Sequence, residues 1–197
     1  MRGDAWNHNI HYHEVVLRAI PSGCQRALDV GCGEGRLARQ LALQSEEVIA
    51  IDTNNPAIRR AGANRGAESR VKFIEADAMT YPFPNESFDV ITVVAALHHM
   101  PLRPALERFR NLLRPRGVLA IVGLYRSRTF ADYAFAAAAI PLSRIMRCMH
   151  RYENVAAPLQ DPSETLHEIR TASRELLPGS VLKRHVLFRY SLIWSKP

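Results

Sequence analysis

A short apolar strand runs directly into a glycine-rich turn early in the chain, and this junction constrains the fold more than any other feature. The turn is the segment DVGCGEG, from Asp29 to Gly35. Glycine has no Cβ, so it can adopt unusual φ angles and let a ligand approach the backbone closely. A dinucleotide-binding turn, G-x-G-x-x-G, would require glycine at position 36, where this chain has Arg36. The spacing therefore argues against a pyrophosphate ligand, and the charge of Asp29 suits a cationic one.

Apolar runs alternate with helical stretches along the rest of the chain, an order that is typical of repeated βαβ units and a mostly parallel sheet. Strands are predicted over 27–31, 48–52, 71–77, 88–94 and 118–123, with a closing pair near 181–188 and 190–195. Helices are predicted over 36–43, 55–63 and 104–113. The predicted fold class is therefore α/β.

We expect one domain over residues 1–197, because two independent cores would be cramped in a chain of this length. Residues 1–24 form a predicted N-terminal lid segment. Residues 125–178 break the strand–helix rhythm and are predicted to be a helical insertion, either a substrate cap or an extra packed layer. Its alanine-rich run, 133–142, is shorter than the ~18 residues that span a bilayer.

The chain is basic, with a net charge of +7 and a pI near 9.8. Such a charge could attract a nucleic acid, an anionic membrane or an acidic substrate, but the arginines are scattered, which favours a solvated basic exterior. Cys24, Cys32 and Cys148 form no CxxC pair and are odd in number, which suits a reducing compartment. With no signal-like N-terminus, these features predict a cytoplasmic protein.

The segment LDVGCGEGRLA resembles the first motif of class I S-adenosylmethionine-dependent methyltransferases, in the small-molecule (methyltransferase type 11-like) branch. The resemblance covers roughly residues 25–124 and includes YPFPNESFDVI, which is similar to the family's LPFPDxSFD signature. It implies a Rossmann-like three-layer sandwich with a mostly parallel seven-stranded sheet and an antiparallel C-terminal strand. It also implies S-adenosylmethionine as the cofactor, held at the turn by Asp29, Gly31, Cys32, Gly33 and Gly35.

The same resemblance implies further cofactor contacts at the ends of the next strands. Asp52, with Thr53 beside it, would accept hydrogen bonds from both ribose hydroxyls, although an Asp at a strand end can also be a simple cap. Asp77 would receive the adenine amino group, and the backbone NH of Ala78 would meet a ring nitrogen. The backbone of Ala95 would lie beside the methionine portion of the cofactor.

Histidines supply the candidate catalytic groups. His98 and His99 follow the fourth predicted strand, and histidine can accept a proton near neutral pH. They could instead cap a helix or shape the cofactor site, and many methyl transfers need no strong base. In the N-terminal segment, Trp6 or Tyr12 could face the sulfonium. Its histidines have no acid or cysteine partner at a recognised spacing, so no metal is expected.

The acceptor is the least constrained part of the interpretation. The fourth strand is followed by Ala95-Ala96-Leu97-His98. Nucleobase amino methylases usually have an Asn or Asp followed by two prolines and an aromatic residue at this place, and the absence of that pattern argues against a nucleic acid acceptor. We expect methyl transfer to oxygen, nitrogen or carbon of a small molecule by a monomer or homodimer. The alternatives are a cofactor-binding regulatory protein without turnover, an RNA or protein methyltransferase, and an NAD-dependent oxidoreductase, which Arg36 disfavours.

Overall fold

The computed structural model describes residues 5–7, 9–63, 70–128, 151–152, 161–186 and 189–197. Its strands are β1 (Ala5–Trp6), β2 (Arg26–Val30), β3 (Glu47–Asp52), β4 (Val71–Glu75), β5 (Phe88–Val94), β6 (Leu113–Leu124), β7 (Arg151–Tyr152), β8 (Val181–His185) and β9 (Arg189–Ser195). Its α-helices are α1 (His13–Leu17), α2 (Arg36–Leu41), α3 (Asn55–Ala63), α4 (Leu102–Leu112) and α5 (Leu166–Leu176). Short 3-10 helices cover Ile10–Tyr12 and Leu97–His99.

Seven strands form one sheet in the order β4-β3-β2-β5-β6-β9-β8. The pairs from β4 through β6 are parallel, and β9 runs antiparallel to both β6 and β8. The predicted α/β class and mostly parallel seven-stranded sheet with an antiparallel C-terminal strand are confirmed. Parallel strands joined by helical crossovers end at the same sheet edge, which is where open α/β folds bind ligands.

Side chains of the central strands alternate between two apolar layers, as the two-residue period of a strand requires. In β2, Ala27 packs with the layer that contains α1 and α2, whereas Leu28 packs with the layer that contains α4 and α5. Both residues are fully buried. The sheet is therefore covered on both faces, and the arrangement is a three-layer sandwich.

Most predicted strand ends lie within one residue of the observed ones, and larger differences occur in β4, β6 and β8, the last of which ends at His185. The strand β4 ends at Glu75, two residues early, because the Asp77 carboxylate accepts a hydrogen bond from the amide of Met79 at 2.8 Å and turns the chain. The strand β6 begins at Leu113 instead of 118, with Arg116 at a φ of 63° and its amide donating to the carbonyl of Lys196 at 3.0 Å. None of these differences moves the carboxyl ends of β2, β3 and β5.

The N-terminal segment and the insertion meet in a small second sheet. The strands β1 and β7 pair in parallel, with Ala5 opposite Arg151. At the base of the insertion, the amide of Arg126 donates to the carbonyl of Glu164 at 2.8 Å. Most of the predicted cap, positions 129–150 and 153–160, lies outside the described residues. In the described part of the chain, no helix is long and apolar enough to cross a membrane.

Candidate cofactor site

The three glycines of the turn all have positive φ, at 69° for Gly31, 53° for Gly33 and 76° for Gly35. A Cβ on Gly31 would lie 2.3 Å from the Cβ of Ala96, and one on Gly35 would lie 2.3 Å from the ring of Phe73. A Cβ on Gly33 would meet nothing within 4 Å. Gly31 and Gly35 are therefore required by packing, whereas Gly33 leaves open space at the ligand edge of the sheet.

Two adjoining cavities follow the carboxyl ends of the parallel strands. The larger cavity holds about 280 Å³ and the smaller about 130 Å³. They share Asn9, Gly31, Gly33, Glu34 and Val94 and so form one continuous cleft. Of the predicted site residues, the larger cavity is also lined by Asp52, Thr53, Asp77, Ala78, Ala95 and His99, and the smaller by Asp29 and Cys32.

Asp52 is held at the mouth of the turn by two backbone amides. Gly33 N donates to Oδ2 and Asn54 N donates to Oδ1, each at 2.8 Å. A carboxylate oxygen has a second lone pair, so each oxygen can accept another hydrogen bond from a ligand in the larger cavity. The carboxylate therefore has the geometry to receive two neighbouring hydroxyl groups.

Asp77 and Ala78 begin a tight loop after β4. The amides of Thr80 and Tyr81 donate to the Asp77 carbonyl at 3.1 and 2.9 Å, and the Met79 amide donates to Oδ1. Ala78 is buried at 4% exposure, whereas Asp77 is exposed on the cavity wall. The loop thus presents a carboxylate and a backbone amide next to each other. The carboxylate can accept from a donor and the amide NH can donate to an acceptor on one edge of a ring.

Asp29 is a buried acid at the floor of the smaller cavity, with 2% exposure. Thr92 Oγ1 donates to its Oδ1 at 2.8 Å, while Oδ2 has no hydrogen-bond partner among the described residues. Burial raises the pKa of this carboxyl to about 7, and the neighbouring charge of Asp52 adds to the rise. A buried carboxylate with an unused acceptor oxygen is stabilised by a nearby cation. The charged side chains that line this cavity with Asp29 are Glu34 and Arg36.

His98 and His99 lie side by side, with ring centroids 4.0 Å apart, but their environments differ. His99 is exposed and lines the larger cavity, whereas His98 lines neither cavity. The Nδ1 of His98 is buried and has no hydrogen-bond partner in the described structure. Burial, together with the charges of His99 and Arg189, lowers the pKa of His98 to about 4. His98 is therefore neutral at physiological pH and a weak base.

Tyr12 is placed away from both cavities. It is 4% exposed, its hydroxyl donates to the carbonyl of Val186 at 2.7 Å, and its ring lies 5.1 Å from that of His185. The Tyr12 side chain packs against the β8–β9 hairpin, so its hydroxyl faces away from the cleft. The side chain of Trp6, the other aromatic candidate, lies outside the described residues.

The N-terminal segment contributes residues that the sequence did not single out as cofactor contacts: Asn7, Asn9, Ile10 and His13. Asn7 Oδ1 accepts from the amides of Asn9 and Ile10, both at 2.9 Å, and so caps the 3-10 helix. His13 Nδ1 lies 2.7 Å from Gln40 Oε1 on α2, which fixes the ring over the smaller cavity. An asparagine before a short helix is a capping signal, but nothing local shows which cavity the helix covers.

The remaining predicted residue, Cys32, has its Sγ 3.7 Å from the carbonyl of Gly33. Burial, reinforced by the charges of Asp29 and Asp52, holds the pKa of this thiol far above its usual range, so it stays protonated. Among the described residues, no group of three or more histidine, cysteine or acidic side chains could hold a metal ion.

Comparison with known proteins identifies the class. A family model described as a methyltransferase domain matches residues 28–121. An uncharacterized methyltransferase of Mycobacterium bovis is 36% identical over 193 residues, 98% of either chain. The 27-O-demethylrifamycin SV methyltransferase of Amycolatopsis mediterranei is 37% identical over 101 residues, 49% of this chain and 37% of that protein. The solved structure of N-methyltransferase NodS of Bradyrhizobium japonicum with S-adenosyl-L-homocysteine has a TM-score of 0.65 at 19% identity, covering 95% of this chain and 87% of that one. These matches confirm the predicted enzyme and cofactor, and the chain belongs to the S-adenosylmethionine-dependent methyltransferases.

Proposed function

We propose that the enzyme transfers a methyl group to oxygen, nitrogen or carbon of a small molecule by in-line displacement, with S-adenosylhomocysteine as the second product. The observation that carries this proposal is the lining of the smaller cavity: Asn7, Asn9, Ile10 and His13 of the N-terminal segment line it together with the glycine turn. A cavity bounded by the chain's own N-terminal segment suits a small acceptor, whereas a nucleic acid or protein chain would need an open groove. The rifamycin methyltransferase, named for a small-molecule acceptor, supports the same reading.

The cofactor fits the residues present in the cleft. We assign the ribose hydroxyls to Asp52, the adenine edge to Asp77 and the Ala78 amide, and the cationic methionine portion to the smaller cavity above Asp29. The open space at Gly33 gives the cofactor room to lie against the backbone. S-adenosylmethionine, when bound, supplies a methyl group already activated by a positively charged sulfur.

Within this assignment, Ala95 forms the wall between the cofactor and the acceptor. It has a φ of 52°, and its amide donates to the carbonyl of Val122 at 2.7 Å, so the bend after β5 is fixed by the neighbouring strand. A left-handed conformation costs an alanine about 1 kcal/mol, and such strain persists only where the surroundings enforce it. A rigid wall holds the acceptor in line with the methyl group, which supplies much of the acceleration.

His99 is the better placed of the two candidate bases. It lies on the cavity wall, whereas His98 is held neutral behind it with a pKa of about 4. A base with so low a pKa accepts a proton poorly at neutral pH. We therefore assign any proton removal from the acceptor to His99 and a shaping role to His98.

A turnover screen tests the acceptor class. Purified protein and S-adenosylmethionine are incubated with small hydroxyl, amine and activated-carbon compounds, and in parallel with bulk tRNA and with a protein extract. S-adenosylhomocysteine formation and the methylated product are followed by mass spectrometry. Turnover that occurs only with RNA or protein would reject the proposal. Tight cofactor binding by calorimetry without turnover on any acceptor would favour a regulatory role instead.

A further inference from the structure

We propose that Arg108 is a positioning residue for adenine: its guanidinium fixes the loop 77–81, so the enzyme's preference for adenine over other purines depends on it. The inference rests on the proposed function, since Asp77 and Ala78 are assigned there as the adenine contacts. Arg108 lies on α4 and lines neither cavity.

One guanidinium joins two points of the loop to the helix. Arg108 Nε donates to the carbonyl of Ala78 at 2.7 Å, and Nη2 donates to the carbonyl of Tyr81. The side chain is half-buried, and its helix is anchored in the core by Leu106 and Phe109, both fully buried. The planar fork of arginine donates to two acceptors in a fixed geometry, which a lysine ammonium cannot reproduce.

The bonds within the loop explain why such an anchor matters. The Asp77 carbonyl accepts from the amides of Thr80 and Tyr81, and the Asp77 side chain accepts from Met79. These bonds close the loop on itself, whereas the two bonds of Arg108 tie it to a rigid helix. Without Arg108 the loop can therefore keep its turn and still tilt relative to the cavity.

The tilt would act directly on the assigned adenine contacts. The Asp77 carbonyl and the Ala78 NH belong to one planar peptide unit, and the next carbonyl along the chain is the one that Arg108 holds. Fixing the peptide units on both sides of the Ala78 Cα fixes the direction of its NH. Arg108 thereby sets the angle at which the NH and the Asp77 carboxylate face the ring.

The experiment compares two ligands that differ only at that edge. S-adenosylhomocysteine offers an amino group and a bare ring nitrogen, whereas S-inosylhomocysteine offers a carbonyl and an N–H, which mismatches both Asp77 and Ala78. At about tenfold for each mismatched contact, the wild-type enzyme should bind the inosyl ligand about 100-fold more weakly in calorimetry. In Arg108→Met the ratio should fall to about tenfold or less, because a tilted loop loses the adenine contacts but not the rest of the site.

Arg110→Met is the matched control. Arg110 lies on the same helix and also donates to a backbone carbonyl, that of Leu176 at 3.2 Å, but on the side of α5. The Arg110→Met substitution removes the same charge and the same kind of hydrogen bond, so the ratio of the two dissociation constants should stay near the wild-type value. A general loosening of α4 would lower the ratio in both variants and would overturn the proposal.

Arg108→Lys provides a second variant should Arg108→Met fail to fold. It keeps the charge but cannot span both carbonyls, so a ratio between those of wild type and Arg108→Met is expected. An unchanged ratio of about 100 in the folded Arg108 variants would overturn the inference alone. A wild-type ratio near one would instead show that Asp77 and Ala78 do not read adenine, and both the assignment and the inference would fall.

Discussion

Cofactor affinity should rise with pH because Asp29 adds its negative charge to the smaller cavity only when it is ionised. The folded-state pKa of Asp29 is raised to about 7 by burial. With that pKa, roughly one molecule in eleven carries the ionised carboxyl at pH 6 and roughly ten in eleven at pH 8. If the cationic methionine portion binds only the ionised form, the Kd for S-adenosylmethionine should fall about tenfold over that interval.

Calorimetry measures this effect in two ways. The Kd is determined at pH 6, 7 and 8, and the binding heat at pH 6 is measured in two buffers of different ionisation enthalpy. A ligand that selects the ionised carboxyl should release most of one proton at pH 6 and almost none at pH 8. The other titratable or charged groups that line this cavity are His13, Cys32, Glu34 and Arg36, and the charge of Asp52 also acts on Asp29.

Asp29→Asn separates Asp29 from those neighbours, because the amide keeps the shape and can still accept from Thr92. The variant should bind S-adenosylmethionine more weakly at pH 8 and should lose the tenfold dependence on pH. A wild-type Kd that does not change between pH 6 and 8 would refute the reasoning. So would an Asn variant with the same pH dependence, which would move the effect to His13 or another neighbour.

Three further predictions follow from the same site. Because its pKa is raised, Asp29 in the folded apoenzyme keeps a proton that the unfolded chain releases. The free energy of unfolding should therefore fall as pH rises from about 4 to about 7, by up to about 4 kcal/mol. In thermal unfolding, Asp29→Asn should raise the Tm at pH 8 and leave it nearly unchanged at pH 4. Asp52→Ala and Gly33→Leu should each weaken S-adenosylmethionine binding at least tenfold in calorimetry while the circular dichroism spectrum stays native. The first substitution removes the ribose acceptor, and the second fills the open space beside the turn. Wild-type affinity in both variants would show that the pocket is misassigned. His99→Ala should lower kcat with little change in cofactor Kd, and full turnover in this variant would remove His99 as the base. His98→Ala should act mainly through stability, and a loss of kcat in a variant with wild-type Tm would contradict its shaping role.

The fold was predictable from local patterns because its sheet is buried on both faces. Strands such as β5, Phe88–Val94, are largely apolar, and the predicted bounds 88–94 match this strand residue for residue. The bounds that failed have different causes. The end of β4 is set by the local turn in which Asp77 accepts from Met79. The start of β6 is set by distant residues, because Leu113 pairs with Phe88 and the amide of Arg116 donates to the carbonyl of Lys196, and no local signal at 113–117 could show this.

Part of the cleft's lining was predictable for a similar reason. Asp52 and Asp77 end predicted strands, and parallel strands bring their ends to one edge, where both acids line the larger cavity. The N-terminal part of the lining could not be predicted in the same way. Asn9 and His13 belong to a segment whose position is set by contacts with other elements, Arg189 for one and Gln40 for the other.

Residues that look alike in the sequence also take different roles because their surroundings differ. His98 and His99 are adjacent, yet one is buried with a lowered pKa and the other faces the cavity. Gly31 and Gly33 belong to one motif and line the same cavities, yet a Cβ would have room only at Gly33. A motif thus specifies where the backbone must turn, while the packing around each position decides which side chains can reach a ligand. For this enzyme the motif indicates the cofactor, whereas the choice of acceptor depends on the packing around the site.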